Sequence, residues 1–133
     1  MKILIDTCVF LDVFENRTQF INDSMRVLKY VAEGKINGYI TACSLKDIYY
    51  LVRKFNHSNE KTMDVLRSIV QLFDILDVNN KDAINAIESG NKDFEDALII
   101  ESAKRHQIDA IVTRNIADFK NSPIRILSPL DIK

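Results

Sequence analysis

The chain has 133 residues, 47% of them hydrophobic and 28% charged, with a net charge of −1 and a pI of about 6.1. That length suffices for one proper core, and we expect a single domain over residues 1–133. So balanced a charge excludes general electrostatic capture of a polyanion. A nucleic acid would have to be held by a local patch or through bound cations.

No apolar run approaches the roughly 20 residues of a membrane span. Asp6 and Asp12 break the opening MKILIDTCVFLDVF too early for a signal peptide, so the expectation is a cytoplasmic protein with no membrane contact. Cys8 and Cys43 are too few for a disulfide framework and belong to no CxxC pair; they are predicted as buried thiols at strand ends. With only His57 and His106 besides, a Cys/His zinc site is disfavoured.

Lys2-Ile-Leu-Ile-Asp6 reads as a compact strand that stops at a carboxylate, with Thr7 as the predicted cap of the next helix. Asp6 is either a capping or salt-bridge partner or a ligand at the sheet's C-terminal edge; the convergence of other acids favours the ligand. From Val9 to Ala32 the pattern is helical, broken near Glu15-Asn16-Arg17-Thr18, and Gly34 suits its end. Gly38–Thr41 predicts a second strand and Ser44–Phe55 a helix with Asp47 in its first turn, where dipole compensation is the competing explanation for an acid. Tyr49, Tyr50, Arg53 and Lys54 read as a packing and solvated face, with RNA contact or partner binding as the alternative. Another amphipathic helix spans about Glu60–Phe73. With Leu51, Val52 and Phe55 it offers more apolar surface than one sheet face needs, for which core packing is the default and a dimer or partner groove the alternative.

Asp74–Val78 predicts a third strand and Asp82–Ile87 a short helix. The stretch DFEDALIIESAKRHQIDAIVTRNIADF, residues 93–119, then gives a helix, the β-branched strand Asp109–Thr113 and a polar loop. Ile124–Leu127 is the last strand. This order argues for an α/β architecture with a mostly parallel central sheet flanked by helices.

In such a sheet Asp6, Asp47, Asp96 and Asp118 all fall along the strands' C-terminal edge. Clustered carboxylates repel unless something positive sits among them. With no imidazole or thiolate set, a hard divalent cation, Mg²⁺ or Mn²⁺, is the fitting partner. Such an ion acidifies bound water and shields a phosphodiester, which points to phosphate-ester hydrolysis. Asp93, three residues before Asp96, reads as a cap or outer support. Thr113 and Asn115 can hold a water or phosphate through neutral groups, and Arg114 either contacts substrate or stands in solvent. A phospho-acceptor receiver-like domain would need a Lys after a late strand, and none is there.

The ordered motifs IDTCVFLD, ITACSLKDIYYLV, DFEDALIIESAKRHQIDAIVT and TRNIADF resemble those of the PIN-domain family over essentially the whole chain. The likeness is to its small single-domain members, which include VapC-type toxins. The resemblance implies a Rossmann-like PIN fold and a Mg²⁺- or Mn²⁺-dependent endoribonuclease acting on RNA. It also implies a cognate antitoxin that blocks the site, and a homodimer. By position, Asp6 matches the family's first acid and Asp96 its third. Asp47 stands where the family usually has Glu. The usual place of the fourth acid is Asn115, with Asp118 nearby as the substitute. These departures keep open an alternative: a catalytically weak PIN-fold module that binds RNA or a protein.

Overall fold

The computed structural model describes residues 1–133 as an open five-stranded sheet with helices on both faces. In chain order the strands are β1 (Lys2–Ile5), β2 (Asn37–Thr41), β3 (Asp74–Leu76), β4 (Ala110–Val112) and β5 (Arg125–Leu127). The helices are α1 (Thr7–Phe14), α2 (Ile21–Ala32), α3 (Ala42–Asn56), α4 (Asn59–Leu72), α5 (Asn80–Glu88) and α6 (Phe94–Arg105). Short 3-10 turns cover Ile116–Phe119 and Pro129–Asp131. No helix is long and apolar enough to cross a membrane.

Strand order is β3-β2-β1-β4-β5, and every pairing is parallel, so the sheet is wholly rather than mostly parallel. The Rossmann-like α/β expectation therefore holds. Leu4 lies level with Tyr39 of β2 on one side and Ile111 of β4 on the other. Alternation along the strands splits the core in two, because successive side chains point to opposite faces. Ile3, Ile5, Ala110 and Val112 join Val9, Phe10, Val27, Ile48 and Val52 on the face covered by α1 to α4. Leu4 and Ile111 join Ile99, Ile100, Ala103 and Phe119 on the face covered by α6. Continuous apolar strands suit a sheet buried on both sides. Of the extra apolar surface expected on α3 and α4, Val52 is core, Leu51 packs against it and Phe55 is exposed.

Local chemistry sets the joints. Asn16 takes a left-handed backbone (φ 55°) and breaks the run between α1 and α2. Gly34, at φ 74°, closes α2, with the Lys35 N–H donating to the Tyr30 carbonyl at 2.9 Å. At Gly38 a Cβ would stand 2.8 Å from the Phe73 ring and the Val31 side chain, so only glycine lets β2 lie so close to α2 and α4.

Two predicted helix starts shift. Thr7 is the first residue of α1 and not its cap; Asp6 caps, accepting the Thr7 N–H at 2.8 Å. Thr41 Oγ1 accepts the Ser44 N–H at 3.0 Å, so α3 begins at Ala42 and Asp47 falls in its second turn.

Candidate active site

β1 is the central strand, so its end opens between the ends of β2 and β4, where an open α/β sheet gathers its chemistry. Asp6 lies there, only 7% exposed. Its backbone N–H donates to the Val112 carbonyl at 3.0 Å. Its Oδ2 accepts the Thr113 hydroxyl at 2.7 Å and the Cys8 thiol at 3.6 Å. Burial pushes its carboxyl above the usual range against these bonds from Thr113, Thr7 and Cys8 and the charge of Arg114.

Asp96 reaches the same place from the first turn of α6. Asp93 caps that helix, Oδ1 accepting the Asp96 N–H at 3.2 Å, as the capping prediction has it. The Asp96 side chain makes no hydrogen bond back, which leaves it to face the other acids. Burial, then the charges of Asp93, Asp6, Asp118 and Glu95, push its carboxyl up to about 7. Asp118 comes from the 3-10 turn after β4 and is exposed, its N–H donating to the Asn115 carbonyl at 3.0 Å. These acids line one open cavity of about 900 Å³ along with Asp47, Glu95 and Asn115, and Lys46 is the only basic residue there.

Asp47 differs in having a cation beside it: its side chain is 38% exposed and lies 3.5 Å from Lys46 Nζ. Asn115, also exposed, lines the cavity and caps nothing. Thr113, expected to hold a water or phosphate, is fully buried; its hydroxyl serves Asp6 and accepts the Asn115 N–H at 3.0 Å. Arg114 is partly buried and does not line the cavity. Its guanidinium grips Asp12 with two bonds, 2.7 Å from Nε and 2.9 Å from the terminal nitrogen. Cys8 is buried in the first turn of α1, with burial and then Asp6 pushing its thiol up, whereas Cys43 at the start of α3 is only half-buried.

The residue that sequence reading missed is Asp12. It is wholly buried and takes Arg114, the Ser24 hydroxyl at 2.7 Å and, more distantly, Arg17. A carboxylate inside the apolar helix VFLDVF was the available signal, since a buried charge requires a partner.

The acids and Asn115 at the edge offer carboxylate and amide oxygens, the chemistry a hard cation takes. No three acidic, Cys or His side chains converge as a ready-made cage. Mg²⁺ does not require one: it keeps several waters and is typically held by one or two carboxylates and substrate phosphates. The residues therefore fit a hydrated ion at an open edge.

The sequence signature of the PIN domain matches residues 2–117. The chain belongs to the PIN-domain family. Its fold is similar over 95% of its length to 96% of a chain in a toxin–antitoxin complex from Klebsiella pneumoniae, with a TM-score of 0.70 and 20% identity. VapBC2 from Rickettsia felis, bound to a promoter DNA fragment, matches 96% of this PIN domain and 98% of its own chain, with a TM-score of 0.73 and 19% identity. DNA-bound VapBC from Salmonella typhimurium gives 0.68 and 21%, covering 97% and 98% of the two chains. No curated protein matches the PIN-domain sequence.

Proposed function

We propose that this PIN-domain chain is a Mg²⁺- or Mn²⁺-dependent endoribonuclease and the toxin of a toxin–antitoxin pair. The observation that carries the nuclease reading is the excess of unmatched acid at the sheet edge. Asp96 is pushed up to about 7 by burial and by neighbouring carboxylates instead of being paired. Asp6 and Asp96 would hold the ion, with Asp118 completing the set and Asp47 acting at the rim. When bound, the cation lowers the pKa of water and offsets phosphate charge. Thr113 and the Thr7 N–H fix the Asp6 carboxylate in place, and Asp93 fixes the start of α6 beneath Asp96. The reaction adds water across an RNA phosphodiester and breaks one P–O bond.

Full-length likeness to chains in complexes described as toxin–antitoxin or VapBC supports the toxin role. It also supports an antitoxin protein as partner of a single-domain, cytoplasmic toxin, with a homodimer as the expected assembly. A second reading, a PIN module with weak catalysis that binds RNA or protein, is favoured by Asn115 at the usual fourth-acid place and by Asp47 lying beside Lys46.

The test is cleavage of a mixed structured RNA pool with Mg²⁺, Mn²⁺ or EDTA, alongside an Asp6→Asn/Asp96→Asn double variant. Cleavage that requires the cation and vanishes in the variant supports the nuclease. Equal behaviour of the two proteins sinks it. Cation binding without turnover selects the second reading.

A further inference from the structure

The loop after β4 is fastened to the start of the chain at successive residues. Thr113 donates to Asp6 at 2.7 Å and the Arg114 N–H donates to the Cys8 sulfur at 3.5 Å, while within the loop the Asn115 N–H donates to Thr113 Oγ1 at 3.0 Å. The strongest of these fastenings is the Arg114 side chain, which makes a two-pronged bond to the fully buried Asp12 of α1. Ser24 of α2 completes the carboxylate at 2.7 Å. The Phe20 ring lies under the guanidinium, 3.9 Å away. Five residues on, fully buried Phe119 anchors the other end of the loop. Between these anchors, Asn115, Ile116, Ala117 and Asp118 are all exposed, and two of them line the acidic cavity.

An ion pair so buried is weak evidence for stability, since well-packed apolar residues of similar volume serve as well or better. What it supplies is direction. A planar fork on a fixed carboxylate defines where its backbone sits, which a flexible lysine or an apolar side chain does not.

We propose that Arg114, gripped by Asp12, is a positioning residue that holds the Asn115–Asp118 segment against the acidic edge and so sets the cation affinity of the site. The cation half rests on the functional reading above; the loop half does not.

The experiment compares Arg114→Lys with Arg105→Lys. Arg105 is an equally well-bonded arginine at the α5–α6 corner, hydrogen-bonded to Asp82 and Asp77. Two quantities are read on the full chain: amide hydrogen exchange without metal, and Mn²⁺ binding. Arg114→Lys is expected to speed exchange at residues 114–120 and to weaken Mn²⁺ binding by about 10–100-fold, the usual loss when an outer partner of a metal site is removed. Arg105→Lys is expected to loosen its own corner and leave Mn²⁺ binding unchanged. Phe20→Leu, which keeps the ion pair, moves both readouts in the same direction by less, and it decides the matter if Arg114→Lys does not fold. Unchanged exchange at 114–120 overturns the proposal, as does a loosened loop with wild-type Mn²⁺ affinity. A wild-type protein that ignores Mn²⁺ removes the functional reading and the cation half together, while the exchange data still decide the loop.

Discussion

Two groups of carboxylates sit at opposite ends of α6, and the fold treats them in opposite ways. At its C-terminal end Arg105 donates to both oxygens of Asp82, at 3.0 and 3.2 Å, and to Asp77 at 3.0 Å. His106 stands 2.9 Å from Asp77. The Arg105 bond holds the Asp77 carboxyl below its usual range; for Asp82 burial acts upward, but Arg105 and the Asn79 N–H prevail. At the N-terminal end Asp96 has no cation bonded to it and is pushed up to about 7. Residue type does not distinguish the two ends. The difference is whether the fold supplies the positive partner itself.

Breaking the unpaired end should have the largest effect on function. Asp6→Asn keeps a good helix cap but removes the charge. RNA cleavage should fall by more than the roughly 10–100-fold typical of outer-shell changes, with little change in thermal midpoint. A fall in the midpoint that parallels the loss of cleavage would make Asp6 structural. Breaking the paired end should do the reverse. Asp82→Ala leaves Arg105 without its main partner and undoes the capping box with Asn79. We expect a loss of about 2–4 kcal/mol in urea unfolding and unchanged cleavage per folded molecule.

Next comes pH. Asp96 ordinarily titrates at 3.8, and folding moves it to about 7. The folded state thus favours the protonated form. The stability this gives is full below about pH 4 and is lost as pH rises to about 7. Asp96→Asn should therefore melt like the wild type at pH 4 and above it at pH 8, and Mn²⁺ should narrow the gap at pH 8. A gap that widens toward acid would refute the assignment. The smallest effect is expected at Asp47. Because an exposed pair such as Lys46–Asp47 contributes roughly 0–1 kcal/mol, Asp47→Asn should leave stability nearly unchanged. Mn²⁺ affinity should stay within about fivefold; a larger loss would make Asp47 a ligand.

The fold was legible because its signals are local. Apolar spacing, Gly34 and the short β-branched runs placed every strand and helix, most to within a few residues. Asp6, Asp47, Asp96 and Asp118 were drawn to one edge by the logic of parallel strands, and all four line one cavity. Asp47 falls one turn later in α3 than expected because capping by Thr41 starts the helix two residues earlier than the sequence suggested. Arg114 could not be read at all. Its partner lies 102 residues away, and only the register of β1 with β4 brings them together. The burial of Thr113 was equally unreadable: a hydroxyl after a strand reads as a surface group until the neighbouring strand end is known.

Parallel neighbours ordinarily require a long return, commonly through a helix. From β4 to β5 the chain makes that return over residues 113–124 with one 3-10 turn. The same segment carries Asn115 and Asp118, so the shortest bridge in the sheet also lines the acidic cavity. Most surface loops are free to gain or lose residues as proteins diverge. This one has no such slack, because an insertion would move the acid and a deletion would break the span. Added residues are better borne at the α3–α4 joint, where His57 already takes a left-handed backbone between two helices and carries none of the edge acids.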